Sequence, residues 1–555
     1  MIIFCRTQIK PILFLCLQYQ AMLYLILTMK NLLEKTHVPY FIITFFGLLL
    51  LTMGVANHYL FRTFTWDYAN YNFAFWDYSH LRLSRVPTWP ANINFLQDHF
   101  SLTLMYFIPL YWLLNWLTGT YTLIIIQWGL VLIAAWYSYK IIQLKTNNLW
   151  LQAGVLAYYF LLLGRYTSFS ADVNLAIISA CFIPVFIYYF EIKRYWIASI
   201  ILILSLFSRE NIPIWFIFIF IVLALQHRKE KKAVWFSVAG ILVSVIYFVL
   251  LFKVFIPSLE TEENKFTLFN YLALGKTPGE AFSFVLKNPI ETIKLFFINH
   301  SGDPAYDGVK AEFYLVYIIS GGFVLFFRPQ YFIWFIPVVA QKVLNDSFIR
   351  WGIATYYSIE VVTLLPLSVF LALASIKSKT IQNTFTAILC VATLGVTIHK
   401  LDRVNNTIPW ILNPSKVKIY DKDFFKAPFN VKKVNRMLKS IPPDAKVSAS
   451  NVIAPHLAQR QFIHFFPTVY DADYIIFSVF DDYYLMSAEE NEKYRNSYLN
   501  NPEWEIIGKE YPVFLLKKKK EPFSENPPVD NTNEQSETLT GNFEIIDDDK
   551  TCIVL

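Results

Sequence analysis

Apolar segments of helical length recur up to about residue 400, at about 38–60, 101–117, 120–142, 149–165, 171–190, 195–208, 211–226, 234–256, 313–327, 331–345, 355–375 and 381–398. A span of the bilayer core needs roughly 20 apolar residues, so this pattern predicts an α-helical polytopic membrane protein with about 11 to 13 transmembrane helices. Several segments fall short of that length. Such pieces are tolerable at membrane depth only where protein or a wet cavity surrounds them.

The polar breaks carry the orientation. Lys193 and Arg194, the stretch HRKEKK at 227–232, Arg328, and Lys377 with Lys379 mark the cytoplasmic side by the usual bias of basic residues. Alternation then puts Arg209 and Glu210, the 257–312 loop, the stretch from Asp346 to Gly352 and everything after about residue 400 outside. Counting from a cytoplasmic Met29 also puts the loop at 61–100 outside, and the two counts differ by one crossing between residues 101 and 190. One segment there is expected to be broken, re-entrant or surface-lying.

After Lys400 the apolar runs shrink to strand length: KVSAS at 446–450, QFIHFF at 461–466, ADYIIFSVF at 472–480, EWEIIGKEY at 503–511 and PVFLLKK at 512–518, with helical stretches such as NVKKVNRMLKSI between them. The expected organisation is a multi-helix membrane domain over 29–399, including the outer loop 61–100, then a small extracytoplasmic α/β domain over 400–518. Residues 519–555, rich in Pro, Asn, Glu and Asp, read as an acidic disordered tail. Residues 1–28 are apolar from 11 onward but lack a small-residue cleavage site, and read as an N-terminal extension ahead of a start at Met29.

Composition narrows the class further. The chain is 55% hydrophobic and 16% charged, which no soluble fold could bury, so the lipid bilayer is its first partner. The formal charge of +7 resides mainly in short inter-helix loops, where orientation accounts for it, and argues for no nucleic-acid partner. Cys5, Cys16, Cys181, Cys390 and Cys552 have neither disulfide-framework nor zinc-ligand spacing. Walker, dinucleotide-binding, HExxH and GxSxG motifs are all missing from the sequence.

The chemistry concentrates in polar intrusions. FTWDYANYNFAFWDYSH puts Asp67 just past the first apolar segment, where a partly desolvated carboxylate can act as a general base toward a hydroxyl or bind a metal ion. The same residue can equally be the N-cap of the following segment. Asp98 and His99 precede the segment SLTLMYFIPLYW, where Asp98 either stabilises a helix N-terminus or faces the same cavity as Asp67. FSADVN puts Asp172 at the head of a helix, and FSRENIPIW puts Arg209 and Glu210 between two helices, as a structural ion pair or a functional one. Arg350, in DSFIRWGIATYY, either anchors a helix end or engages an anionic head group.

Taken in order, WDYANYNFAFWDYSH with LQDHFSLTLMYFIPLY, then FSADVN, FSRENIPIW, NYLALGKTPGEAFSFVLKNP, and ASNVIAPHLAQRQFIHFFP with DADYIIF resemble the motifs of a bacterial polytopic family catalogued as domain of unknown function 2079 (DUF2079). The resemblance runs over about residues 38–516. It departs from the family where Ser170 and Ala171 stand in place of His and Pro, Asn211 in place of an acid, and Tyr356-Tyr357 in place of a His-Tyr pair. That family is in turn similar in layout to the membrane glycosyltransferases of the C-type fold (GT-C). This second resemblance implies an enzyme of the bacterial inner membrane that transfers a sugar from a polyprenyl-phosphate donor to an unidentified envelope glycan, lipid or protein acceptor on the extracytoplasmic face. Asp67 would be its catalytic base, and Asp98, His99, Asp172, Arg209, Glu210 and Arg350 would position donor phosphate or acceptor, with a divalent metal as an open cofactor question. The alternative class is a transporter, flippase-like or envelope-assembly protein without bond chemistry.

Overall fold

The computed structural model describes residues 37–86, 94–170, 172–260, 269–354, 356–403, 414–481 and 487–519. The N-terminal extension and the acidic tail expected from the sequence lie outside the described residues. Within them the chain is a helical multi-pass membrane protein with a small C-terminal sheet.

Among the described residues, five helical stretches are long and apolar enough to cross a membrane. The first, α1 (Val38–Tyr59), starts at a proline that needs no amide partner and runs 22 residues. The second stretch, Ile108–Lys145, has 38 residues and would measure roughly 57 Å, nearly twice the hydrocarbon thickness. Gly119, at φ +52°, breaks it into α2 (Ile108–Thr118) and α3 (Thr122–Lys145).

α2 does not cross. At its start Leu102 N–H donates to Phe207 O and Ser101 Oγ donates to Ser208 O, while at its end Asn115 bonds Gln459 of the C-terminal sheet region. Both ends therefore sit at one end of the bundle. Its outward stripe is Trp112, Leu113, Trp116 and Leu117, all exposed, with Trp116 at 81%, the pattern of a helix lying in a membrane interface. A surface-lying α2 would remove the one-crossing mismatch expected between residues 101 and 190.

Helices α4 (Leu149–Leu161), α5 (Leu163–Ser170), α6 (Leu175–Glu191), α7 (Tyr195–Leu206), α8 (Ile212–Gln226) and α9 (Lys231–Leu250) follow, with α6 packed against α7 and α8 against α9. In the α8–α9 hairpin the Phe220 ring lies against Gly240, where an added Cβ would meet it at 2.2 Å, so the glycine is what lets these helices approach. After the loop at 257–308 come α10 (Val309–Ile319), α11 (Phe332–Val343), a single turn α12 (Phe348–Trp351), α13 (Ile359–Ala374) and α14 (Lys379–Asp402). The window around α13 is 89% buried, against 28% for α14, so α13 is the apolar axis of the bundle and α14 faces lipid.

The two ends of the bundle differ in chemistry. One gathers Lys145, Glu191, Lys193, His227 and Glu230 into a surface ion-pair network with further Lys and Arg around it. The other carries the first loop, the Arg209 turn, the Arg350 turn and the sheet. In that sheet the order is β2-β1-β3-β5-β4, from β1 (Val447–Ala449), β2 (Ile463–Phe465), β3 (Tyr474–Ser478), β4 (Trp504–Glu510) and β5 (Val513–Lys518). β1 pairs parallel to β2 and β3, whereas β5 pairs antiparallel to β3 and β4.

Alternation along the strands builds two cores. Ile476 and Leu515 pack with Leu60, Phe61, Ala69 and Phe73 of the first loop, while Ile475, Phe477 and Phe514 pack beneath Trp504 on the opposite face. The sheet is thus welded to the segment that carries Asp67 by shared apolar burial.

Candidate functional site

After α1 the chain bends at Phe61, φ +58°, and enters one wide π-helical turn, Thr65–Ala69, before a helix at Asn70–Ser79. A π turn is a local distortion that needs external support. Here Thr65 N–H donates to Asn451 Oδ1 at 3.0 Å, Thr65 Oγ1 donates to Asn451 O at 2.9 Å, and Phe64 N–H donates to Asp172 Oδ2 at 2.8 Å.

Asp67 sits inside this turn, half-buried, and makes no N-cap hydrogen bond. Its Oδ1 accepts from Tyr71 Oη at 3.3 Å and its Oδ2 from Asn174 Nδ2 at 3.4 Å. Both bonds lie at the long end of the hydrogen-bond range. Tyr356 lies within electrostatic range of Asp67 and Tyr71, and its hydroxyl donates to that of Tyr357 at 3.1 Å. Tyr357 faces the main cavity.

That cavity has a volume of about 330 Å³ and opens at the end of the bundle that bears the sheet. Its walls are largely apolar, including Phe248, Phe252, Phe269 and Leu274, yet it also takes His99, Arg209, Glu210, Lys342, Arg350 and Glu360. Three formal cations, Arg209, Lys342 and Arg350, therefore face two carboxylates, and His99, when protonated, adds a fourth positive group. An apolar enclosure that gathers charge in this way strengthens every electrostatic contact made inside it.

The charges are unequally paired. Glu210 Oε1 meets His99 Nδ1 at 3.2 Å and Arg209 Nε at 3.6 Å. Burial alone would raise the Glu210 carboxyl, but His99 and Arg209 overcome it and hold the group down at about 2. Lys342 Nζ is tied to backbone, donating to Gly352 O at 2.6 Å and Tyr357 O at 3.2 Å. Arg350 lies over the Tyr357 ring at 5.1 Å, and its charge has no carboxylate within ion-pair distance among the described residues. The turn that carries it is fixed from behind: Asn345 O accepts from Trp351 Nε1 at 2.6 Å and pairs with His300 Nε2 at 3.1 Å.

The residues singled out in the sequence thus divide. His99, Arg209, Glu210 and Arg350 meet in the cavity, and Asp67 adjoins it through Tyr71 and the Tyr356–Tyr357 pair. Asp172 does not line the cavity. It is buried against Lys416 Nζ at 3.2 Å and receives Phe64 N–H, so it braces the first loop. Nor does it cap the following helix, since Asn174 accepts from Ala176 N–H instead. Asp98 ends a short helix, Phe95–Asp98, and its side chain lies outside the described residues.

Lys342, Tyr357 and Glu360 are cavity residues that the sequence reading passed over. A lone charge inside an apolar helical run, as in VVAQKV and SIEVV, is the signal that would have found two of them. Among the described residues no group of three or more His, Cys, Asp or Glu could hold a metal ion.

A family model described as "Predicted membrane protein (DUF2079)" matches residues 57–532, and the chain belongs to that family. No curated protein matches it.

Proposed function

We propose that this family member is a membrane glycosyltransferase of GT-C-like layout, working on a polyprenyl-phosphate-linked sugar at the extracytoplasmic face. The observation that carries the reading is Arg350: a guanidinium that lines a largely apolar cavity beside Arg209 and has no acidic ion-pair partner among the described residues. Such a cavity is built for an anion that arrives with an apolar body, and a lipid phosphate is that chemistry.

In this reading the phosphate rests on Arg350 and Arg209. The acceptor hydroxyl enters from the side of Asp67, whose carboxylate takes its proton as the oxygen attacks the anomeric carbon. The bond from that carbon to the phosphate oxygen breaks, its electron pair leaves on the phosphate, and the sugar is transferred with inversion. The basic end of the bundle then faces the cytoplasm of a bacterial inner membrane. The membrane domain of 29–399 holds the lipid, and the domain of 400–518 stands outside.

The test is transfer from radiolabelled polyprenyl-phosphate sugars by the purified protein in nanodiscs, with an envelope extract as acceptor. Asp67→Asn should abolish transfer and keep donor binding, whereas Arg350→Ala should lose both. Retained transfer by folded Asp67→Asn removes the base, and wild-type protein that binds no polyprenyl phosphate overturns the whole reading.

A further inference from the structure

The turn between α7 and α8 carries two acceptor atoms that nothing among the described residues satisfies. Glu210 uses Oε1 for His99 and Arg209, while its Oε2 is buried with no hydrogen-bond partner. Asn211 Oδ1 is in the same condition one residue on, and both residues line the cavity.

The orientation of the Asn211 amide follows from its neighbours. Trp215 Nε1, which can only donate, bonds Gln341 Oε1 at 2.9 Å, so that oxygen must face this corner. The same oxygen then takes Asn211 Nδ2 at 3.0 Å, and Asn211 Oδ1 is the atom left over. Buried acceptors without donors cost free energy that a bound molecule can return by supplying hydroxyls.

A phosphate cannot do this, because its ionised oxygens only accept. The cavity therefore asks for two chemistries in one ligand: an anion for Arg350 and Arg209, and hydroxyl donors for the 210–211 edge. We propose that Glu210 Oε2 and Asn211 Oδ1 are the specificity-determining acceptors for a polyhydroxylated group esterified to the phosphate. This rests on the lipid-phosphate reading above and deepens it, by assigning which side chains read the sugar. The neighbouring faces of Phe248, Phe252 and Tyr271 give the ring an apolar floor.

The experiment compares binding of bare short-chain polyprenyl phosphate with its glucosyl, mannosyl and galactosyl esters, to protein in nanodiscs. Wild-type protein should hold at least one ester about tenfold tighter than the bare phosphate, the worth of one charge-assisted hydrogen bond. Asn211→Leu should bring that ratio to within about twofold and leave affinity for bare phosphate unchanged. Arg350→Ala should weaken both ligands together. Monodeoxy versions of the preferred ester, tested on the unaltered protein, give the same answer without a variant: at least one should lose the preference. Equal affinity for bare and glycosylated phosphate, or indifference to every deoxy position, overturns the assignment while leaving the anion site standing. Failure to bind either ligand instead removes the lipid-phosphate reading itself.

Discussion

Asn451, at the carboxyl end of β1, holds Thr65 twice, accepting its backbone N–H at 3.0 Å on the side chain and its hydroxyl at 2.9 Å on the main chain. The residues are far apart in sequence, yet they join the outer sheet to the turn that bears Asp67. A π turn has poorer internal bonding than an α turn, so its shape depends on such outside partners.

Asn451→Ala should therefore loosen the turn locally, at a cost of about 1 kcal/mol for the lost side-chain bond. Amide hydrogen exchange is expected to quicken over residues 64–69 and to stay unchanged at the Arg350 turn. If transfer activity is found, it should fall more in kcat than in donor affinity, because the base moves and the phosphate site does not. Uniform exchange across the first loop in both proteins would sever the sheet from the site.

The two cavity arginines make opposite predictions for stability. Arg350 is a desolvated cation beside another cation, so Arg350→Met should raise the ligand-free melting temperature in detergent. Arg209 compensates Glu210, and Arg209→Met should lower that melting temperature through a stability loss of order 3 kcal/mol, for a buried carboxylate left with His99 alone. Adding inorganic pyrophosphate should stabilise the wild type and have no effect on Arg350→Met. Parallel melting shifts in the two variants would show that the arginines are equivalent anchors.

Much of the fold was readable because period and length are local properties. The five strands fall within the five short apolar runs after residue 400, and α13 appears as an apolar stretch whose one charge is Glu360 in its first turn. α2 was harder, since its Trp and Leu content matches that of a crossing helix and only its tethers at both ends reveal that it lies flat. The site was half legible. Polar intrusions located His99, Arg209, Glu210 and Arg350, but convergence is a long-range property that no window of sequence contains. Asp172 is the instructive case: its intrusion is plain in FSADVN, while its partner Lys416 sits 244 residues away.

That partnership supplies a third prediction. Lys416 and Asp172 are both buried, and burial pushes the Asp172 carboxyl up against the opposing pull of the lysine. Lys416→Met strands a desolvated carboxylate and should cost about 3–5 kcal/mol. Asp172→Asn keeps an acceptor for Phe64 N–H and should cost less, and the double variant should recover much of the loss relative to Lys416→Met alone. A double-mutant cycle by thermal unfolding measures this directly. Additive losses would mean that the two side chains act independently, contrary to the 3.2 Å pair.

A pH dependence follows from His456, which joins the sheet region to α1. Its ring stacks on His58 with centroids 4.1 Å apart and on Phe61 at 3.9 Å, and its Nε2 is buried without a hydrogen-bond partner. Burial drives its pKa from the usual 6.5 down to about 3. The folded state thus refuses a proton that the unfolded chain accepts near 6.5, so the docking is at full strength above that value and weakens as pH falls from 6.5 toward 3. His456→Phe keeps an aromatic ring in the stack and removes the proton site. Limited proteolysis between the membrane helices and the sheet, at pH 7 and pH 4.5, should show the wild type opening in acid and His456→Phe holding. Equal acid sensitivity in the two proteins would assign the loss to other titratable groups, the stacked His58 among them, and leave His456 as a packing residue only.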